Sequence, residues 1–315
     1  MIRLVKHGDI DATRWNETIG ASGFPTVFCT YEMLDALVGG ATWNALVMDD
    51  YQYVMPLPER SKFGVHYVYS PFFVSQMGIF SAKPVTAQIT SDFFNALPSA
   101  DKHVDLLLNQ SNATDFIDSY TVNLITYLLD LNKDYAELER SYSQNTRRNV
   151  KASRKFGLVL KSDEVEVEQV IRLFQENRGQ QKEVRFKPKD YEILTQAAAA
   201  VLKSQGLLEV LSVHTREGQL IAGALMVRDF QRYRFWFSGR DAQFADQKAM
   251  FFLLDEFINR HAGTPYLLDF NGSMNENVAR LYKGFGGQPL PIKMISYSRQ
   301  MYWNLLLKLY RMIRK

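Results

Sequence analysis

Tyr266 to Pro289 reads YLLDFNGSMNENVARLYKGFGGQP. The apolar run Tyr266 to Leu268 leads to Asp269, Phe270, Asn271 and Gly272, then to polar residues that cap helices, so the pattern predicts strand, tight turn, helix. A helix starting between Ser273 and Asn275 puts Val278, Leu281, Tyr282 and Phe285 on one face, at i, i+3, i+4 and i+7. Gly286 and Gly287 end it, because glycine takes the left-handed conformation without a Cβ penalty. Lys283 falls off the apolar face near the helix's end. A strand feeding a helix through a glycine turn gathers backbone N–H groups, Asn271 and Lys283 around one cleft, where an anion or a developing oxyanion can sit. A surface lysine beside a well-capped helix has the same spacing, and both readings stand at this level.

The residues before this stretch are the most regular in the chain. Leu208 to Thr215 and Gln219 to Arg228 read as a hairpin turning at Glu217 and Gly218, Arg232 to Ser238 as a third strand. Met250 to Arg260 is a helix with Met250, Leu253, Leu254, Phe257 and Ile258 inward. A last strand follows at Lys293 to Ser298. Upstream come a strand at Leu158 to Lys161 and two amphipathic helices near Val165 to Asn177 and Lys189 to Ser204. The loop between those helices carries Arg178, Lys182, Arg185 and Lys187, in a place where substrate contacts are common and where exposed loops are also basic for solubility.

The first 130 residues read as mixed α/β. A helix is expected over Thr30 to Val38, strands over Trp43 to Met48, over Tyr51 to Met55 closed by Pro56 and Pro58, and over His66 to Tyr69. The aromatic segment SPFFVSQMGIF suits either the wall of a cleft or ordinary packing. Thr86 to Ala96 reads as a helix, His103 to Leu108 and Val122 to Leu131 as strands. Asp134 to Phe156 makes a long helix or a pair, ended by Gly157. In it Arg147, Lys151 and Arg154 share a face with Arg148 and Lys155 beside them, which suits phosphates and equally a solvated linker helix.

Composition bounds what such a chain does. At 315 residues, 46% hydrophobic and 23% charged, it has core enough for two globular domains. No apolar run approaches the ~20 residues of a membrane span, and the N-terminus lacks a signal-peptide h-region. Cys29 stands alone in an apolar setting, VFCTY, so it reads as a small buried side chain and the reducing cytoplasm as the natural compartment. The histidines are scattered without ligand spacing, so no metal site is expected. Charge is uneven: of 37 bases, seven lie between Arg140 and Lys161 and five between Arg299 and Lys315, both stretches without an acid, which leaves 25 bases against 34 acids elsewhere. That asymmetry points to an anionic partner, although solvated helix faces produce it too.

Four stretches carry a family resemblance. They are WNALVMDDYQYVMPLPERSKFG with QMGIF, YLLDLNKDYAELERSYSQNTRRNVKASRKFGL, IAGALMV followed by RFWFSG, and DFNGSMNENVARLYKGFGG. Together they resemble the GNAT acyltransferase superfamily, and within it the Fem-like branch built from two tandem GNAT-like folds. The resemblance implies an α/β chain of the α+β type, with a first domain over 1–132, an acyltransferase domain over 133–298, each a mixed, mostly antiparallel sheet flanked by helices, and a basic amphipathic helix over 299–315. It implies amide formation by transfer of an acyl or aminoacyl group to an amine on a phosphorylated, cell-envelope or sugar precursor, with acyl-CoA or aminoacyl-tRNA as donor and no tightly bound cofactor. A catalytically silent module for an anionic ligand or a membrane surface is the alternative.

By the same resemblance Lys283 matches an acceptor-site lysine that steadies charge in the transition state. Arg178 and Tyr191, with Arg185 nearby, match residues that grip a phosphorylated acceptor, beside Asn271 and Gly272. Arg147, Arg148 and Lys151 offer a face for aminoacyl-tRNA. Ordinary GNAT enzymes hold the CoA pyrophosphate on a glycine-rich turn at a helix N-terminus. The corresponding stretch runs from Arg240 to Ala245: its first and last positions fit, but Gln243 replaces a glycine, and Asp241 and Asp246 bring negative charge. The base that frees the amine is expected to be Asp269 or Glu276, with Asp269 equally suited to bracing the turn. The C-terminal MYWNLLLKLYRMIRK suits a peripheral membrane contact through 300–315, or a helix folded back on the first domain.

Overall fold

The computed structural model describes residues 1–39, 43–62, 65–113, 121–182, 184, 186–272 and 275–298. Arg185 and the expected helix over 299–315 therefore lie outside the described residues. By internal contacts the chain forms two compact units, one of residues 1–124 with those from 292 onward, the other of residues 125–291. The division at 132/133 read from the sequence differs from this on two counts: residues 125–132 pack with the second unit, and 292–298 with the first. The reason is that two strands each change unit midway along their length.

The first unit contains β1 (Ile2–Val5), α1 (Ala12–Ala21), α2 (Tyr31–Val38), β2 (Trp43–Met48), β3 (Tyr53–Lys62), β4 (Val65–Tyr69), α3 (Ala87–Asn95), β5 (Asp101–Leu107) and the end of β12 (Gln288–Ser298). Its sheet runs β1-β2-β3-β4-β5-β12, antiparallel except for the parallel pair β4/β5. Neither β1 nor α1 was expected from the sequence. Pro56 and Pro58 lie inside β3 rather than closing it. Val54 N–H points away from β2, to Phe80, so residues two and four further on face the same way, where a missing N–H removes no bond to β2.

The second unit opens in β6 (Thr121–Asp130) and continues through α4 (Tyr135–Ser141), α5 (Gln144–Ser153), β7 (Val159–Ser162), α6 (Val167–Glu176), α7 (Pro188–Gln196), β8 (Leu208–His214), β9 (Leu220–Asp229), β10 (Arg232–Arg240), α8 (Ala249–His261), β11 (Leu267–Asp269) and α9 (Glu276–Gly284). The order β6-β11-β10-β9-β8-β7 again holds one parallel pair, β10/β11, joined through α8. Its core gathers Leu211, Val213, Ile221, Ala224 and Met226 of the sheet with Leu253, Leu254, Phe257 and Ile258 of α8. Gly157, with φ +64, stops the helical segment after α5 as expected. Gly239 serves packing instead. A Cβ there would stand 2.5 Å from backbone atoms of Val170 and Phe174, so only glycine lets α6 lie this close on β10.

Candidate functional site: a cleft at the open end of a parallel strand pair

Strands β10 and β11 stay paired only at Arg232/Leu267, Tyr233/Leu268 and Arg234/Asp269. Beyond that point β11 ends, while β10 runs on through a register shift between Phe235 and Phe237 that re-aims its backbone. The gap so opened leads into a cleft of about 680 Å³. Phe235, Ser238, Gly239 and Arg240 of β10 line it together with Val278, Leu281 and Tyr282 of α9, the loop residues Arg178, Ala242 and Ala245, and Lys248 to Phe251 at the start of α8.

The apex of the gap is clasped by buried charge. Arg234, fully buried, donates through Nε to Asp229 and through one terminal nitrogen to Asp269 at 2.8 Å. The other oxygen of Asp269 accepts from the Thr126 hydroxyl at 2.6 Å and from Asn271 N–H at 2.9 Å. Of the two roles open to Asp269 in the sequence, the structure gives it that of brace for the turn, at 1% exposure and away from the cleft's lining. Asn271 and Gly272 follow with φ +60 and +67. A Cβ on Gly272 would meet the Ile125 carbonyl oxygen at 2.6 Å, so this turn needs its glycine.

α9 is fixed at both ends. The Asn275 side chain accepts from Asn277 and Val278 N–H. At the other end Gly286, φ +86, donates to the Lys283 carbonyl and Gly287 to that of Tyr282, which together form a Schellman stop. Tyr282 and Phe285 are buried, as the i, i+3, i+4, i+7 pattern requires. The Tyr282 ring stacks on Phe270 at 4.8 Å, and Tyr282 borders the cleft. Burial pushes its ionisation well above that of an ordinary phenol, with Asp269 adding to the effect and Arg178 opposing it. Lys283, in contrast, is exposed on another face of α9, its ammonium 5.8 Å from the centre of the Tyr127 ring and outside the cleft's lining.

Among the described residues three cations border the cleft, Arg178, Arg240 and Lys248, with one carboxylate, Glu176. The first turn of α8 adds N–H groups, since Phe251 and Phe252 both turn back to the Lys248 carbonyl and Ala249 and Met250 come before any intrahelical partner. In the preceding loop the amides are already engaged: Ala242 N–H donates to the Asn177 side chain at 2.8 Å, and Gln243 N–H to the Asp241 carboxylate at 2.9 Å. Two amides of the Arg240–Ala245 stretch are thus filled by oxygens of the chain itself.

Of the residues singled out from the sequence, the cleft brings together Arg178, Arg240 and Ala245. Tyr191 lies one ring behind its wall: its ring is 6.3 Å from that of Phe174, which lines the cleft, and burial raises its ionisation, with Asp190 adding to the effect. Glu276 is exposed in the first turn of α9, between the lining residues Asn275 and Asn277. Arg147, Arg148 and Lys151 stand exposed on α5, none of them in the lining. Sequence reading missed Glu176, Lys248 and the bordering position of Tyr282. The strand–helix–strand order around α8 was the usable signal, since ligands gather beyond the carboxyl ends of parallel strands.

Residues 140–276 match the family model of the acetyltransferase (GNAT) domain. A search of curated proteins finds no significant match. Among solved structures the chain is similar to FemX, at 12% identity and a TM-score of 0.62 over 97% of this chain and 99% of that one. It is also similar to L-PGS from Bacillus licheniformis (11%, TM-score 0.53, 87% and 90%). A third likeness is to the C-terminal domain of a putative lysylphosphatidylglycerol synthetase from Agrobacterium fabrum (10%, TM-score 0.53, 85% and 87%). At such identities the likeness is one of fold. The matched residues fall wholly within the second unit, around the parallel pair and its cleft: that stretch is similar to a GNAT acetyltransferase domain, and the chain as a whole has a fold similar to that of FemX.

Proposed function

We propose that this protein forms an amide, moving an acyl or aminoacyl group from an activated ester to an amine, and that the donor enters the cleft between β10 and α9. The observation that carries this reading is the cation-bordered cleft beyond the open end of β10 and β11, with the Tyr282 side chain at its border. An amine attacking an ester gives a tetrahedral intermediate, and the departing oxygen needs a proton. Among the described lining residues Glu176 is the carboxylate that accepts the ammonium proton, and Tyr282 passes its proton to the departing oxygen and takes back the second proton of the attacking nitrogen. Aligning the two substrates supplies part of the ~7–11 kcal/mol that orientation can contribute.

The filled amides of Ala242 and Gln243 favour a donor without a pyrophosphate, hence an aminoacyl ester of a nucleic acid over acyl-CoA. Arg178, Arg240 and Lys248 then meet its phosphate. On the acceptor side the resemblance assigns Lys283, whose place apart from the donor cleft fits a division in which α9 gives Tyr282 to the donor and Lys283 to the acceptor. A lipid-linked or phosphorylated amine suits that lysine, and a relative of the same fold bears the name of an enzyme making a lysine-bearing lipid.

The test is a titration of the purified chain with acetyl-CoA and with charged tRNA at low and moderate salt, followed by transfer assays on Tyr282→Phe. Charged tRNA should bind with a steep salt dependence, and Tyr282→Phe should keep that binding while transfer slows about 100-fold. Saturable acetyl-CoA binding without tRNA binding would overturn the donor assignment. Unchanged turnover in Tyr282→Phe would remove the proton-donor role.

A further inference from the structure

The apolar and the charged residues of the cleft are unevenly placed. Phe235 is the first residue of β10 beyond the last bonded pair, Arg234 and Asp269, so it stands at the inner end of the gap. Its ring lies 6.2 Å from that of Tyr282, which brings the C-terminal half of α9 to the same end. Leu281 and Val278, half-buried in the lining, carry that apolar face back along α9. Phe251, from the first turn of α8, closes on it, its ring 5.9 Å from that of Phe285 at the end of α9. Two of the bordering cations stand further out: Arg240 follows Phe235 by five residues of strand, about 16 Å, and Lys248 comes just before α8. The third, Arg178, is near enough to act electrostatically on Tyr282, so the inner end is not removed from positive charge.

We propose that the transferred group carries an apolar side chain, seated between Phe235, Phe251, Val278 and Leu281. The inference rests on the donor reading given above and adds to it which aminoacyl groups the cleft accepts. With the donor's phosphate at the outer cations, its ester reaches inward to Tyr282 and the side chain meets the apolar walls. A leucyl side chain leaves water there and gains burial against four apolar neighbours, while an alanyl group fills little of the seat. A lysyl side chain brings a second ammonium into a cleft that three cations border. The α-ammonium is common to every aminoacyl group and does not discriminate. Glu176, at the end of α6, offers the second ammonium no free partner, because the proposed chemistry engages it with the attacking amine. An aspartyl side chain is drawn toward the cations but loses its hydration against four side chains that donate no hydrogen bond.

The experiment measures binding of one tRNA body to the full chain at fixed salt, uncharged or charged through a stable amide with leucine, alanine, lysine or aspartate. Each affinity is taken relative to uncharged tRNA on the same protein. The leucyl form should bind at least about tenfold more tightly than the lysyl and aspartyl forms, with the alanyl form between. Leu281→Glu sets a carboxylate in the seat, so it should weaken leucyl binding about tenfold and raise the lysyl form above it. Circular dichroism and a thermal melt establish that the variant is folded, and the comparison on the native chain decides by itself if it is not. Equal affinity of the native chain for the leucyl and lysyl forms would overturn the inference and leave the donor reading standing. Tighter binding of the aspartyl form would do the same, and so would unchanged leucyl preference in folded Leu281→Glu. Absence of binding by every form of the tRNA would overturn the donor reading, and this inference with it.

Discussion

The two units answer the same geometric problem in opposite ways. Each sheet holds one parallel pair, β4/β5 in the first unit and β10/β11 in the second, and each pair opens beyond its last bonded residues. In the first unit the chain fills its own gap. After β4 ends at Tyr69, residues 70–80 run on beside β5: Ser70 N–H bonds to the Asp105 carbonyl, Met77 N–H to that of Leu107, and Asn109 N–H to that of Met77. Met77, Ile79 and Phe80 are fully buried there. Of the segment SPFFVSQMGIF, for which cleft wall and packing were both open, the part from Gln76 to Phe80 is therefore packing, while Phe72 is 45% exposed. In the second unit β10 is followed by a short turn into α8, none of the described residues fills the gap, and the cleft of about 680 Å³ remains. A parallel pair becomes a site when the connection that follows it leaves the opening free.

If that contrast holds, the apex clasp should matter most. Asp269→Ala leaves Arg234 buried beside a single carboxylate, a loss of about 3–5 kcal/mol. Chemical denaturation should show it in the unfolding of the second unit, and an effect under about 1 kcal/mol would mean the clasp does not hold the gap's end. Next in size is an attempt to fill the second gap as the first is filled. Ala245→Trp should leave the thermal melt close to native and slow transfer at least about tenfold; unaltered transfer by a folded variant would separate the cleft from the chemistry. The smallest effect tests the filled gap. Gln76 is 1% exposed, and neither polar atom of its side chain has a hydrogen-bond partner among the described residues. Gln76→Leu should then stabilise the first unit by about 1 kcal/mol, and a destabilisation of that size would reveal a water held by this side chain.

What the sequence disclosed follows from the range of the interactions concerned. The turn and helix from Asp269 to Gly287 were legible because glycine stops and apolar spacing are local, and Tyr282 and Phe285 lie inward as the period demands. The second unit's strands were legible for the same reason. Asp269 was not, since nothing near it in sequence announces Arg234 or Thr126, each supplied by another strand. Lys283 and Arg178 looked like neighbours in function, yet Arg178 borders the cleft and Lys283 does not, because adjacent helix positions face different ways. Asn177, which occupies the Ala242 amide from 65 positions away, left no local trace. Pro56 and Pro58 misled in the other direction: a proline ends a strand only where its missing N–H would have been used.

Strand β12 also fixes an order of events. The first unit's β5 pairs along one edge with residues 294–298, and the Ser298 hydroxyl reaches the Lys102 carbonyl across 196 positions of chain. The second unit, by contrast, is one uninterrupted segment, 125–291. During synthesis that segment emerges ahead of the partner of β5, so the part bearing the cleft has its whole chain available before the first unit does. The unit that begins the chain is the last whose sheet can be completed, and until then β5 presents an unsatisfied edge that neighbouring nascent chains can find.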